Sequence, residues 1–211
     1  MIQLFTRNGL KANVPENNGE DISNKFNVNL EINKALDYYN KNGYVIFSKC
    51  VSKENCEDIR KLWESNIKNY KGKIYRQTTA KAEVNKFNEN NWIMNPVLNL
   101  QSLNPNLFGD FKKIIEEKVF SSTSICDALK TILGEKPKIV QSMYFEGNSA
   151  TWEHQDTYYL DSEKIGKLTA AWIALEEIKA DAGRFFICPG SHKIDIKKMK
   201  HYNQILSKHD L

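Results

Sequence analysis

From Ile139 onward the hydrophobic period of this chain changes. Before that point apolar residues recur at helical spacing. After it they alternate, with Val140, Ser142 and Tyr144 on one side and Gln141, Met143 and Phe145 on the other. Side chains separated by about 3.6 residues share a helix face, and those separated by two share a strand face. Helices first and strands afterwards is the order of an α+β protein. No internal repeat and no linker divides the chain, and 211 residues suffice for one domain with a sizeable core.

The helical part predicts four helices. Ile32, Ala35, Leu36 and Tyr39 mark the first, with Gly43 at the place of a C-terminal cap. Cys56, Ile59, Trp63, Ile67 and Tyr70 mark the second, with Ser52 as its N-cap. Between them Tyr44 to Phe47 is a short β-rich run. Phe111, Ile114, Ile115 and Val119 mark the third helix. Ile125, Ala128, Leu129, Ile132 and Leu133 mark the fourth, which stops at Gly134 before Pro137. Aromatic stripes at this spacing read as core. Residues 1–29 form an irregular lead-in, rich in Asn, Gly, Glu and Lys over residues 8–29. Within 71–107, Lys73 to Gln77 is a candidate strand, Asn88 to Asn91 is turn-like, and Pro96 and Pro105 break regular structure. Arg76 and Lys81 are candidates to meet an anionic substrate, set against the commoner role of solvated surface charge. Residues 194–211 return to a Lys-rich helical composition.

The stretch richest in chemistry is Trp152-Glu153-His154-Gln155-Asp156. On an extended strand His154 and Asp156 aim at one point. A neutral imidazole and a carboxylate are two of the three ligands of the 2-His-1-carboxylate triad, which leaves positions open on Fe(II). H-x-D alone is a weak signal.

Composition removes several function classes. A net charge of +4 is too mild for a nucleic-acid binder, and no basic cluster is interleaved with aromatics. The Lys197-Lys198-Met199-Lys200 run reads as a solvated helix face. Cys50, Cys56, Cys126 and Cys188 have no C-x-x-C spacing, and read as reduced, buried thiols of a cytoplasmic protein. The first residues lack the build of a signal peptide, and no apolar run reaches membrane-spanning length.

After the H-Q-D stretch come Thr169-Ala170-Ala171-Trp172-Ile173-Ala174-Leu175 and then Gly183 to Cys188, ending in Pro189-Gly190-Ser191-His192-Lys193. In order and spacing, from about Ile139 to Lys193, this resembles the phytanoyl-CoA dioxygenase family of Fe(II)- and 2-oxoglutarate-dependent oxygenases. Gly43 to Phe47 and the helix after it resemble, more weakly, the opening of that family. The resemblance implies a double-stranded β-helix, the jelly-roll or cupin-like barrel, under an N-terminal helical layer. The single domain would then run over 30–211, with helices in 30–135 and barrel strands from about 138. It implies His154 and Asp156 as iron ligands, Trp172, Met143 and Gln141 near 2-oxoglutarate, and Gln155 on the opposite face. The implied reaction is hydroxylation of a small or medium organic substrate. His192 in the P-G-S-H-K segment is not an iron ligand on this resemblance, and is given a turn-stabilising hydrogen bond. His201 and His209 lie in the polar tail.

The family also carries a second iron histidine and an arginine that grips 2-oxoglutarate, and neither is found after Pro189. The expectation is therefore a chain lacking the C-terminal part of the domain. Three outcomes stay open: an active dioxygenase, an impaired member serving as a binding or interaction module, or a site completed by a partner chain. An incomplete barrel would be covered by self-association, by a partner, or by the 194–211 tail.

Overall fold

A computed structural model describes residues 2–5, 11–14, 23–147, 154, 156, 160, 162–163, 167–179, 182, 184–185, 187 and 189–193. The chain divides into two compact units. One comprises residues 1–48, 154–170 and 178–211, and the other residues 49–153 and 171–177.

In the first unit, β1 (Ile2–Phe5) pairs antiparallel with β2 (Lys11–Val14). The strand β3 (Lys25–Asn27) runs parallel to β4 (Ile46–Ser48), with Phe26 opposite Phe47. The lead-in is thus built partly of strands. Its polar composition conceals them because backbone groups form the ladder. Between β3 and β4 lies α1 (Ile32–Asn42). It ends as its spacing predicts: Gly43 takes the left-handed conformation at φ 81° and donates its N–H to the Tyr39 carbonyl. Ala35 on its inner face is buried.

The second unit holds the larger core. α2 (Lys53–Leu62) starts at Ser52, whose hydroxyl accepts the Asn55 N–H at 3.1 Å. It continues into a π-helical turn, Trp63–Lys68. α3 (Pro105–Ile115) likewise runs into a π-helical turn, Glu116–Phe120. Pro105 begins this helix rather than breaking it. In the first turn its missing N–H costs nothing, and Asn104 caps the end by accepting the Asn106 N–H. α4 (Thr123–Leu133) stops at Gly134, φ 72°.

Short antiparallel pairs complete this unit. β5 (Ile74–Tyr75) pairs with β6 (Ala82–Glu83), and β7 (Val97–Leu98) with β8 (Met143–Tyr144). Ile59, Trp63, Ile67, Ile93, Val97 and Phe111 are at most 2% exposed and form the centre of the core.

Chain order and content are those of a mixed helix-and-sheet protein. The described strands form four two-stranded sheets and no closed barrel. The alternating run from Ile139 yields only the two-residue β8. Thr169 to Leu175 carries no ladder among the described residues, and a strand without a partner gains nothing from alternation. No helix of the described residues is long and apolar enough to cross a membrane. The tail with His201, His209 and the lysine run lies outside the described residues, as do Gln155 and Cys188. Cys50, Cys56 and Cys126 are free thiols, half-buried rather than buried.

Candidate functional site

The first unit brings His154 and Asp156 together: Nε2 of His154 lies 3.2 Å from Oδ1 of Asp156. Strand alternation is not the cause. Asp156 lies in a 3-10 turn, and the Leu160 N–H donates to the Asp156 carbonyl at 2.9 Å. Both side chains remain accessible, with His154 31% and Asp156 61% exposed. An imidazole nitrogen and a carboxylate oxygen are therefore presented side by side at the surface of this unit. Among the described residues no group of three or more His, Cys, Asp or Glu side chains forms a metal-binding cluster.

The second unit carries Gln141, Met143 and Trp172. Met143 stands opposite Leu98 in the β7–β8 pair. The alternation expected of this strand holds only from Gln141: Ser142 and Tyr144 turn inward while Gln141, Met143 and Phe145 are exposed, but Val140, expected on the side of Ser142 and Tyr144, is exposed as well. Tyr144 stacks on Trp63, and burial pushes its phenol far above the ordinary range. Trp172 is 47% exposed, and close beyond it Leu175 packs on the core while Glu176 pairs with Arg60 at 3.5 Å. The three candidate co-substrate residues thus face outward from a segment anchored by their neighbours.

Arg76 departs from both sequence readings. It is fully buried and neither meets solvent nor offers itself to a substrate. Its Nη1 donates to the Asn95 carbonyl at 3.0 Å, its Nε to the Glu83 carbonyl at 3.3 Å, and its Nη2 to Oδ1 of Asn85. Asn85 in turn donates to the carbonyls of Ile67, Lys68 and Tyr70, closing the end of the π-helical turn. Lys81 is exposed, and its carbonyl accepts the Arg76 N–H at 2.9 Å. The irregular 71–107 stretch is held by this guanidinium and its two asparagines. Sequence patterning misses it because the acceptors are mostly main-chain carbonyls.

Lys68 is a second residue without a sequence signal. Its ammonium group, 9% exposed, lies 2.8 Å from Glu64 and 2.9 Å from Glu146. The other oxygen of Glu146 accepts the Ile93 N–H at 2.6 Å.

His192 makes the hydrogen bond expected of it, at 3.2 Å from Nε2 to the Asn40 carbonyl. A carbonyl only accepts, so Nε2 carries the proton and is not a metal donor in this arrangement.

Comparison with known proteins bears on these residues. A family model described as Phytanoyl-CoA dioxygenase (PhyH) matches residues 39–209, reaching past Lys193 where the motif resemblance ends. The phytanoyl-CoA dioxygenase domain-containing protein 1 homolog of Caenorhabditis elegans is 35% identical over 81 residues, 36% of this chain and 28% of that protein. Phytanoyl-CoA dioxygenase domain-containing protein 1 of Bos taurus is 40% identical over 72 residues, 31% of this chain and 24% of that protein. Its Danio rerio counterpart is 34% identical over 80 residues, 36% of this chain and 26% of that protein. The chain spans about a quarter of the length of the curated relatives it matches. No solved structure matches it. With the family model covering residues 39–209, well over half of its length, the chain belongs to the phytanoyl-CoA dioxygenase family.

Proposed function

We propose that this chain works as an Fe(II)- and 2-oxoglutarate-dependent oxygenase that hydroxylates a small or medium organic molecule. The observation that carries the reading is the His154–Asp156 pair. Two ligands about 2.1 Å from one metal ion and at right angles to each other stand about 3.0 Å apart. The observed 3.2 Å between Nε2 and Oδ1 fits such a pair with little movement. The donor types, one imidazole nitrogen and one carboxylate oxygen, suit iron.

In this reading Nε2 of His154 and Oδ1 of Asp156 hold the metal, and the carboxylate offsets part of its charge. Iron, 2-oxoglutarate and oxygen together supply the oxidation of an unactivated C–H bond. By family resemblance Trp172, Met143 and Gln141 contact 2-oxoglutarate. The first two would shed water from it, and the Gln141 amide would offer it a donor. Their exposure is what a ligand-binding role requires. The double-stranded β-helix of the family remains the architecture we assign to the strands from about 138 onward. The free Cys50, Cys56 and Cys126 suit a reducing compartment, and we assign the cytoplasm.

A second reading rests on the pair itself, which supplies two of the three protein ligands of such a site. A partner chain or a second copy would then complete the site, or the chain would serve as a binding module.

One titration separates these readings. Anaerobic Fe(II) is added to the purified chain and to its His154→Ala and Asp156→Ala variants, with and without 2-oxoglutarate. Binding that is lost in both variants, with succinate formed on admitting oxygen, is the expected result. Binding only at concentrations where the chain self-associates favours the completed site. Fe(II) binding unchanged in both variants would remove the pair from the metal site altogether.

A further inference from the structure

The end of α1 meets a segment from the far end of the described chain, within the same compact unit. Helix C-termini leave carbonyls without intrahelical partners. Here the Gly43 N–H satisfies Tyr39, but Asn40 and Asn42 remain. The Gly190 N–H donates to the Asn42 carbonyl at 2.7 Å. Nε2 of His192 donates to the Asn40 carbonyl at 3.2 Å. The Lys193 N–H closes the turn on the Gly190 carbonyl at 3.1 Å.

The imidazole also needs a place to lie, and Gly43 provides it. A Cβ at position 43 would stand 2.3 Å from Nδ1 and 2.7 Å from Cγ of His192. Gly43 is therefore required twice: for its left-handed φ of 81°, and for the space above its Cα.

We propose that the Pro189–Lys193 turn is a strap that closes the C-terminal end of α1, with the His192 ring on Gly43 as the contact that holds it shut. Contacts confined to one turn can open without unfolding the rest of the chain. His154 and Asp156 belong to the same unit as the strap. The strap does not depend on what the pair binds.

Hydrogen exchange of the full chain tests it. His192→Ala leaves Gly43 and its φ untouched, so it is the deciding variant. The expected result is roughly tenfold faster exchange at the Gly190 amide, with α4 unchanged. His192→Gln, whose amide nitrogen reaches as Nε2 does, recovers part of that protection. Gly43→Ala opens the strap too, but costs less when added to His192→Ala than alone, because the ring it would strike is gone. Unchanged exchange at Gly190 in His192→Ala, or an equal rise in α4, overturns the strap.

Discussion

The indole of Trp63 stacks on the ring of Tyr144, with centroids 3.8 Å apart and planes 11° apart. Phe111 stands 5.8 Å from Trp63 and 6.0 Å from Tyr144, so one aromatic trio joins the first π-helical turn, α3 and β8. Trp63 is 2% exposed. Trp63→Ala should cost roughly 3–5 kcal/mol, as truncating a buried aromatic does. Urea unfolding with an unchanged slope is the measurement. A loss below about 1 kcal/mol would show that the stack is peripheral to the core.

Arg76 gives a sharper test, because its three acceptors point in different directions. Arg76→Met keeps the stem and strands two buried carbonyls, at a cost of roughly 2–5 kcal/mol. Arg76→Lys should recover little of this, since one ammonium cannot span the acceptors of a guanidinium fork. Burial pushes the Arg76 pKa down to about 10, opposed by the charge of Glu83. The two variants are compared by chemical denaturation. A Lys variant as stable as the parent would mean that charge, not the fork, holds the 71–107 stretch.

How much of this was legible from sequence depended on whether the signal was local. Ser52, Gly43 and Gly134 act within one turn of themselves, and the helices they bound are found where their spacing puts them. The π-helical turns are not legible, because Trp63 and Ile67 sit inward in either helix type. Arg76 reads as surface charge until Asn95, distant in sequence, is folded over it. Pro105 reads as a breaker unless Asn104 is recognised as the cap before it. The His154–Asp156 pair is legible as a spacing, and its side chains do meet, but with Asp156 in a 3-10 turn rather than on a strand.

Lys68 supplies a third prediction. Burial alone would lower its pKa, but the bonds to Glu64 and Glu146 outweigh burial and raise it. A raised pKa on a cation means a contribution that is complete below the ordinary lysine value and is lost as pH rises through the folded one. Glu146→Gln keeps an oxygen for the Ile93 N–H and removes one of the two charges facing Lys68. The expected cost at neutral pH is roughly 1–3 kcal/mol, since Glu64 remains. The gap between parent and variant should narrow in strong alkali. A constant gap would show that the loss comes from packing rather than charge.

Tyr38 and Tyr44 make the last test, and here the order of causes decides the outcome. Their hydroxyl oxygens are 2.8 Å apart, and their rings meet edge-on at 5.5 Å and 83°. The Tyr44 pKa is pushed up from 10.0 to about 12, first by burial, then by the bond to Tyr38, then by the charge Tyr38 would carry. The folded chain therefore holds the Tyr44 proton more tightly than the unfolded one. Its contribution to stability is complete below about pH 10 and is lost as pH rises towards about 12. Tyr38→Phe removes the bond and the charge but leaves the larger cause in place. Tyr44 should then titrate lower than in the parent, yet still above an ordinary tyrosine. Carbon-13 NMR of the Tyr44 ring resolves the three cases. An unmoved midpoint would mean that the bond contributes nothing, and a complete return to the ordinary value would mean that burial does not hold the proton.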